Sequence, residues 1–304
     1  MGVFSCQECA LDFLTAPPRD STLPSMRLSV ITDEIAQDLS HALAVMSEYG
    51  LKEAELRNVY GKYIVDADED LLRRVEQDLA AGGFTVPCID TPLYKCDLTG
   101  LAAATGATHN AQERTLDDQI PLLERSIALC KRFNAPYIRI FAFWRRGPLT
   151  DEIEDRIAQE LVRPCQIAEA AGVTLLLENE HACYLGSGVE TARMIARVNS
   201  PALKMLWDPG NALHAGELPF PTGWEAARSY TEHIHIKDAR RLSEDKLAWT
   251  VIGEGDIDYK GQIAALKASN YSGVIALETH YKAPGGDSET SSRACLEGMI
   301  QLCR

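Results

Sequence analysis

The chain has 304 residues, 46% hydrophobic and 24% charged, a balance that fits a globular protein and excludes a disordered or fibrous one. Its net charge of −14 opposes binding to a phosphate backbone, which needs clustered Lys and Arg to displace counterions. No apolar run reaches the length of a membrane span, and nine cysteines scattered through apolar surroundings read as reduced thiols. A cytoplasmic protein with neither nucleic-acid nor membrane partners is therefore expected.

Residues 1–25 carry Pro17-Pro18, a Ser/Thr-rich stretch and a lone Cys6–Cys9 spacing without the second pair of a zinc site. They read as a disordered N-terminal appendage to a single domain at 26–304. Leu28 to Ile31 is the first strand, followed by a helix capped at Asp38 and closed by Gly50. Ala54 to Arg57 is the second strand, its helix running from Glu69 to Ala81, and Phe84 to Ile89 is the third. A long polar connection, Thr91 to Asp118, has the length of an active-site lid. Then come a helix over Gln119 to Phe133, strand four at Tyr137 to Phe143, and a helix over Asp151 to Ala171 that Pro164 is expected to kink. Strand five begins at Val173 and ends at Glu178. A helix at Val189 to Val198 leads to strand six, Leu203 to Trp207, and one at Trp224 to Tyr230 leads to strand seven, His233 to Lys237. After a loop rich in charge and glycine, a helix at Tyr259 to Ser269 leads to strand eight, Val274 to Leu277, and a last helix falls within Ser291 to Leu302.

Strands alternating with helices imply a parallel sheet, and eight such units in a chain of this length make an α/β fold of the (β/α)8 TIM-barrel type. No G-x-G-x-x-G opens the first helix, which removes the usual reason to prefer an open doubly wound sheet.

Four successive strands end in ligand-type residues: V-T-L-L-L-E at Glu178, L-K-M-L-W-D at Asp208, H-I-H-I-K around His235, and V-I-A-L-E at Glu278. Barrel active sites lie at these C-terminal strand ends. Alternation puts Val274, Ala276 and Glu278 on one face, and His233, His235 and Lys237 on one face of strand seven. The four candidates then converge in the barrel mouth. Three carboxylates crowded there need a cation, and with one neutral imidazole they suit Mn²⁺ or Mg²⁺, with Co²⁺ and Zn²⁺ as alternatives.

At these residues the chain resembles the sugar isomerase/epimerase superfamily with the xylose isomerase-like TIM barrel. The resemblance runs through I-T-D-E-I (Ile31 to Ile35), E-L-R-N-V-Y-G-K (Glu55 to Lys62), L-L-E-N-E-H (Leu176 to His181), W-D-P-G-N-A (Trp207 to Ala212), H-I-H-I-K-D-A (His233 to Ala239), G-E-G-D-I-D-Y (Gly253 to Tyr259) and L-E-T-H (Leu277 to His280). It implies a single divalent ion on Glu178, Asp208, His235 and Glu278, with Glu178 and Glu278 doubling as the acid/base pair. Arg241 is the nearest match to an arginine that contacts substrate in that family. Asn211 stands where the ketose 3-epimerases often carry a histidine, so the identity of the sugar stays open. The implied chemistry is isomerisation or epimerisation of a sugar or sugar phosphate by proton transfer through a metal-bound enediolate. The implied partners are a small sugar or polyol and further copies of the same chain.

Around this site His181 and Lys237 are candidates for hydrogen bonds to substrate or for a role behind the ligands. Arg57 is either a substrate contact or half of a Glu55–Arg57 pair, and Trp144 could stack on a sugar face or simply pack. His233 reads as a hydrogen-bonded core residue and His280 as support for the ligands. Among rivals, an inosose-type dehydratase shares the enolisation step. An H-x-H amidohydrolase would carry its pair on the first strand, and a trinuclear endonuclease would need more than seven histidines in all and a basic face. A non-catalytic sugar-binding barrel would have lost a ligand, and none is missing.

Overall fold

The structure, a computed structural model, describes residues 26–99, 114–243 and 246–304. The expected appendage and half of the long polar connection, residues 100–113, lie outside the described residues. The barrel strands are β1 (Arg27–Ile31), β2 (Glu53–Glu55), β3 (Cys88–Leu93), β4 (Tyr137–Ile140), β5 (Thr174–Glu178), β6 (Leu203–Trp207), β7 (Thr231–Ile236) and β8 (Val274–Leu277). All neighbours pair in parallel, in the order β2-β1-β8-β7-β6-β5-β4-β3. Single bridges Glu53–Thr85 and Leu56–Ile89 join the two ends, so the sheet closes on itself. The helices are α1 (Leu39–Glu48), α2 (Glu69–Gly82), α3 (Gln119–Phe133), α4 (Asp151–Ala171), α5 (Gly188–Val198), α6 (Pro209–His214), α7 (Trp224–Ala227), α8 (Tyr259–Ala268) and α9 (Ser288–Cys303). None is long and apolar enough to cross a membrane.

Alternation sorts the side chains as expected. Leu175, Leu177, Ile234, Ile236, Ile275 and Leu277 join the large core between strands and helices, while Cys88, Leu176 and Leu206 form a small apolar floor inside the barrel. Glu178 lies opposite Leu206, and His235 opposite Ala276. Asp208 and Glu278, two positions further on, therefore rise just above that level.

Several boundaries differ from the sequence reading. The second strand ends at Glu55, and the chain then folds into a small antiparallel pair, Asn58–Val59 with Lys62–Tyr63, whose turn residues Tyr60 and Gly61 both take positive φ. The third strand is Cys88–Leu93 rather than Phe84–Ile89, because Pro87 brings no N–H to a ladder. Strand four stops at Ile140, and Phe143 turns into the left-handed region at φ 59°. α4 continues as one helix through Pro164. α6 was not expected, although Asp208 caps it and Pro209 occupies its first position. The loop after strand seven contains an antiparallel hairpin, Asp238–Ser243 with Lys246–Thr250.

Candidate metal centre and its surroundings

One ligand atom from each of Glu178, Asp208, His235 and Glu278 lies within 4.8 Å of all the others. All four residues are buried, at most 4% exposed. Glu178 Oε2, Asp208 Oδ2 and His235 Nδ1 receive no hydrogen bond. Buried acceptors left in that state cost about 1–3 kcal/mol each, and three gathered at one point fit a bound cation. Three carboxylates and one imidazole make a hard, oxygen-rich donor set of the kind that holds divalent ions.

Each ligand is held from behind. Glu55 bridges two histidines, its Oε2 2.8 Å from His235 Nε2 and its Oε1 2.7 Å from His233 Nε2. That contact assigns the His235 proton to Nε2 and turns a bare Nδ1 toward the cluster. Burial opposes ionisation of Glu55, but the two imidazoles outweigh it and hold its carboxyl well below the usual range. Burial pushes His235 down to about 4, so its ring is neutral near pH 7.

Asp208 also serves as the N-cap of α6, with Oδ1 accepting the Asn211 N–H at 2.8 Å. Its Oδ2 lies 2.9 Å from Lys237 Nζ, an ion pair. The Asn211 amide donates to Glu178 Oε1 at 3.1 Å and meets His181 Nδ1 through its oxygen at 3.0 Å. Gly210 makes room for Lys237: a Cβ there would come within 2.5 Å of the lysine Cγ.

Glu278 receives Arg57 Nη1 on Oε1 at 3.0 Å and Lys237 Nζ on Oε2. Burial opposes its ionisation, but Lys237, His280 and Arg57 together drive its carboxyl well below the normal range. Glu178 behaves oppositely. Burial raises it to about 8, and Asp208 to about 6. Without a cation, then, these two are the strained acids of the site; a divalent ion between them would supply the missing positive charge.

The structure brings Lys237 and Arg57 onto the cluster. The Glu55–Arg57 pair, one of the two readings of Arg57, is not formed: Arg57 meets Asp33, Glu34 and Glu278, while Glu55 turns to the histidines. His181 is shared between Asn211 and Glu180, and His280 Nε2 lies 3.7 Å from Glu278 Oε1. Trp144 is half-buried beside Lys95, whose Nζ lies 5.4 Å from its ring centroid, and Arg241 lies exposed on the hairpin with its N–H donating to Asp256.

Sequence reasoning passed over Asp90, Arg139 and Lys95. Arg139 Nε lies 3.6 Å from Glu178 Oε2 and 3.8 Å from Asp90 Oδ1, and Lys95 Nζ donates to Glu180 at 2.7 Å. The inward alternation of Arg139 on strand four was the one available signal. With Tyr63 and Phe141, Lys95 and Arg139 line a small cavity of about 10 Å³ that reaches Glu178 and Glu278.

The family described as "Xylose isomerase-like TIM barrel" matches residues 43–300. A curated relative named inosose dehydratase, from Lacticaseibacillus casei, is 29% identical over 147 residues, 42% of this chain and 48% of that protein. The chain thus spans about half the length of the curated relatives it matches. Among solved structures, the IOLI protein with a bound zinc atom superposes with a TM-score of 0.72 at 17% identity, covering 91% of this chain and 98% of that one. L-ribulose 3-epimerase gives 0.68 at 16% identity, covering 91% and 94%. Likenesses at that identity speak for the fold alone. The residues matched by the family take in all four members of the carboxylate–histidine cluster, and the chain belongs to the xylose isomerase-like TIM-barrel family.

Proposed function

We propose that this chain is a divalent-metal-dependent isomerase or epimerase of a sugar or sugar phosphate, working by proton transfer beside a carbonyl. The observation that carries this reading is the set of three ligand atoms without a hydrogen bond, from Glu178, Asp208 and His235, facing a fourth ligand, the carboxylate of Glu278, that is held ionised. Mn²⁺ or Mg²⁺ is the ion best matched to the donor set, with Co²⁺ and Zn²⁺ as alternatives. When bound, the ion polarises a substrate carbonyl and acidifies the adjacent C–H.

The remaining work falls to the chain. Glu278, kept charged by Lys237 and Arg57, takes the proton. Glu178, on the other side of the cluster, returns a proton. Delivery to the opposite face of the same carbon gives an epimer, and delivery to the neighbouring carbon gives an isomer. Lys237 offers its ammonium to the developing oxyanion, and the burial of all four ligands keeps water from competing.

A second reading is a lyase. The curated relatives named inosose dehydratase favour it. The proton abstraction is the same, but a hydroxyl on the next carbon then leaves as water, with Lys237 as the nearest candidate to protonate it.

One experiment tests both. The Mn²⁺-loaded protein is incubated in D₂O with ketoses, aldoses and inososes, and products are identified. Deuterium at the carbon beside the carbonyl, abolished by chelation, is the expected result; an unsaturated product selects the lyase. No exchange with any member, despite bound metal, overturns the enolisation chemistry.

A further inference from the structure

Each ligand-bearing strand is followed by a ring. Three residues beyond Glu178 comes His181; at the end of the helix that Asp208 caps comes His214; the hairpin beyond His235 carries Trp249; and two residues beyond Glu278 comes His280. These four rings touch in sequence. Centroids are 4.7 Å apart for His181 and His214, 4.5 Å for His214 and Trp249, and 4.6 Å for Trp249 and His280. The middle contact is a true stack at 26°.

The row lies against the candidate metal centre at three points. His181 meets Asn211, which holds Glu178; Lys237 Nζ is 5.9 Å from the Trp249 ring centroid; and His280 lies beside Glu278. His181 is exposed and the other three rings are partly exposed, whereas the ligands are buried. Trp249 is the largest member and lies between two imidazoles, and the strand that carries it pairs with Asp238–Ser243, Trp249 itself opposite Ala239, so its position is set by backbone bonds.

We propose that Trp249 is a specificity-determining residue, the largest member of a ring wall that bounds the substrate chamber and selects polyols by size. The wall is one indole and three imidazoles, with the Lys237 ammonium beside the indole. Such a surface presents apolar ring atoms to the C–H groups of a polyol while Lys237 reaches its oxygens. Because the ring comes from a loop that supplies no ligand atom of its own, its removal alters the chamber and leaves the metal centre intact. The inference rests on the polyol-binding part of the proposed function and not on its proton-transfer step.

The test is calorimetry on the Mn²⁺-loaded protein with unreactive polyols of graded size, myo-inositol and the five- and six-carbon sugar alcohols, for the wild type, Trp249→Ala and Trp249→Phe. Mn²⁺ affinity is expected to stay within about twofold in all three. Polyol affinity should fall about tenfold in Trp249→Ala, with the preference between sizes flattened, and should largely recover in Trp249→Phe. Unchanged polyol affinity and unchanged size preference in Trp249→Ala overturn the proposal, as does a wild type that binds Mn²⁺ but no polyol. Loss of Mn²⁺ binding in Trp249→Ala also overturns it, by making the residue a support of the metal centre. A Trp249-dependent affinity in a protein that shows no deuterium exchange leaves this inference standing and removes the enolisation reading.

Discussion

Glu278 combines two properties that rarely coincide, complete burial and a strongly favoured negative charge, and the cause is the pair of cations on its two oxygens. Glutamine keeps the shape and removes the charge. Glu278→Gln is therefore expected to lower deuterium exchange by about 10²–10⁴-fold, with a far smaller effect on the melting temperature. Equal losses of exchange and stability would assign Glu278 a packing role. Glu55 acts at one remove, through His235 Nε2. Glu55→Gln should weaken Mn²⁺ binding about 10–100-fold in calorimetry, the usual cost of losing the partner behind a metal-ligating histidine. Its role was hidden in the sequence because the nearest opposite charge along the strand, Arg57, is not its partner; the histidines it meets are about 180 residues away.

At the scale of elements, strand alternation was legible and loop architecture was not. H-I-H-I-K and V-I-A-L-E show in their spelling which residues face inward, because a pleat has a period of two. The hairpin after β7 is R-R-L-S at one side, a charged run that signals solvent contact and gives no sign of a strand. Trp249, on its return strand, could be placed only once the pairing was known. His214, stacked beneath it, is pushed down to about 4 by burial, with the charges of His181 and Lys237 adding to the effect. A group whose folded pKa lies below its unfolded value takes up more protons when unfolded, so stability falls as pH drops from about 6.5 toward 4. His214→Phe should flatten the pH dependence of the melting temperature in that window; an unaltered slope would mean that His214 does not titrate there. α5 gives a simpler test. Ser187 and Glu190 form a reciprocal capping box at its start. Ser187→Ala should cost about 1 kcal/mol in denaturant unfolding, whereas no loss would show that the Glu190 half suffices.

For the whole molecule, the barrel gathers acceptors without a hydrogen bond from β5, from β7 and from the residue after β6 at one point. A cation that binds only the folded arrangement stabilises it by mass action, about 2.7 kcal/mol at one hundred times its dissociation constant. Mn²⁺ is expected to raise the melting temperature, and a chelator to reverse the rise. No shift with Mn²⁺, Mg²⁺, Co²⁺ or Zn²⁺ would show that Lys237, Arg57 and Arg139 suffice to balance the carboxylates.

The number of strands, the inward faces of the last four, and the carboxylates and imidazole at their ends were all set by local pattern, since pleating, turn chemistry and capping depend on near neighbours. Tertiary structure alone decided the rest. It gave Glu55 to the two histidines, Arg57 to Glu278, and Arg139 to the space between Asp90 and Glu178. It also aligned the four rings of His181, His214, Trp249 and His280, which come from four separate segments of the chain. These pairings join residues far apart in the chain, and a charged or aromatic side chain carries no mark of which distant partner the closed barrel will place against it.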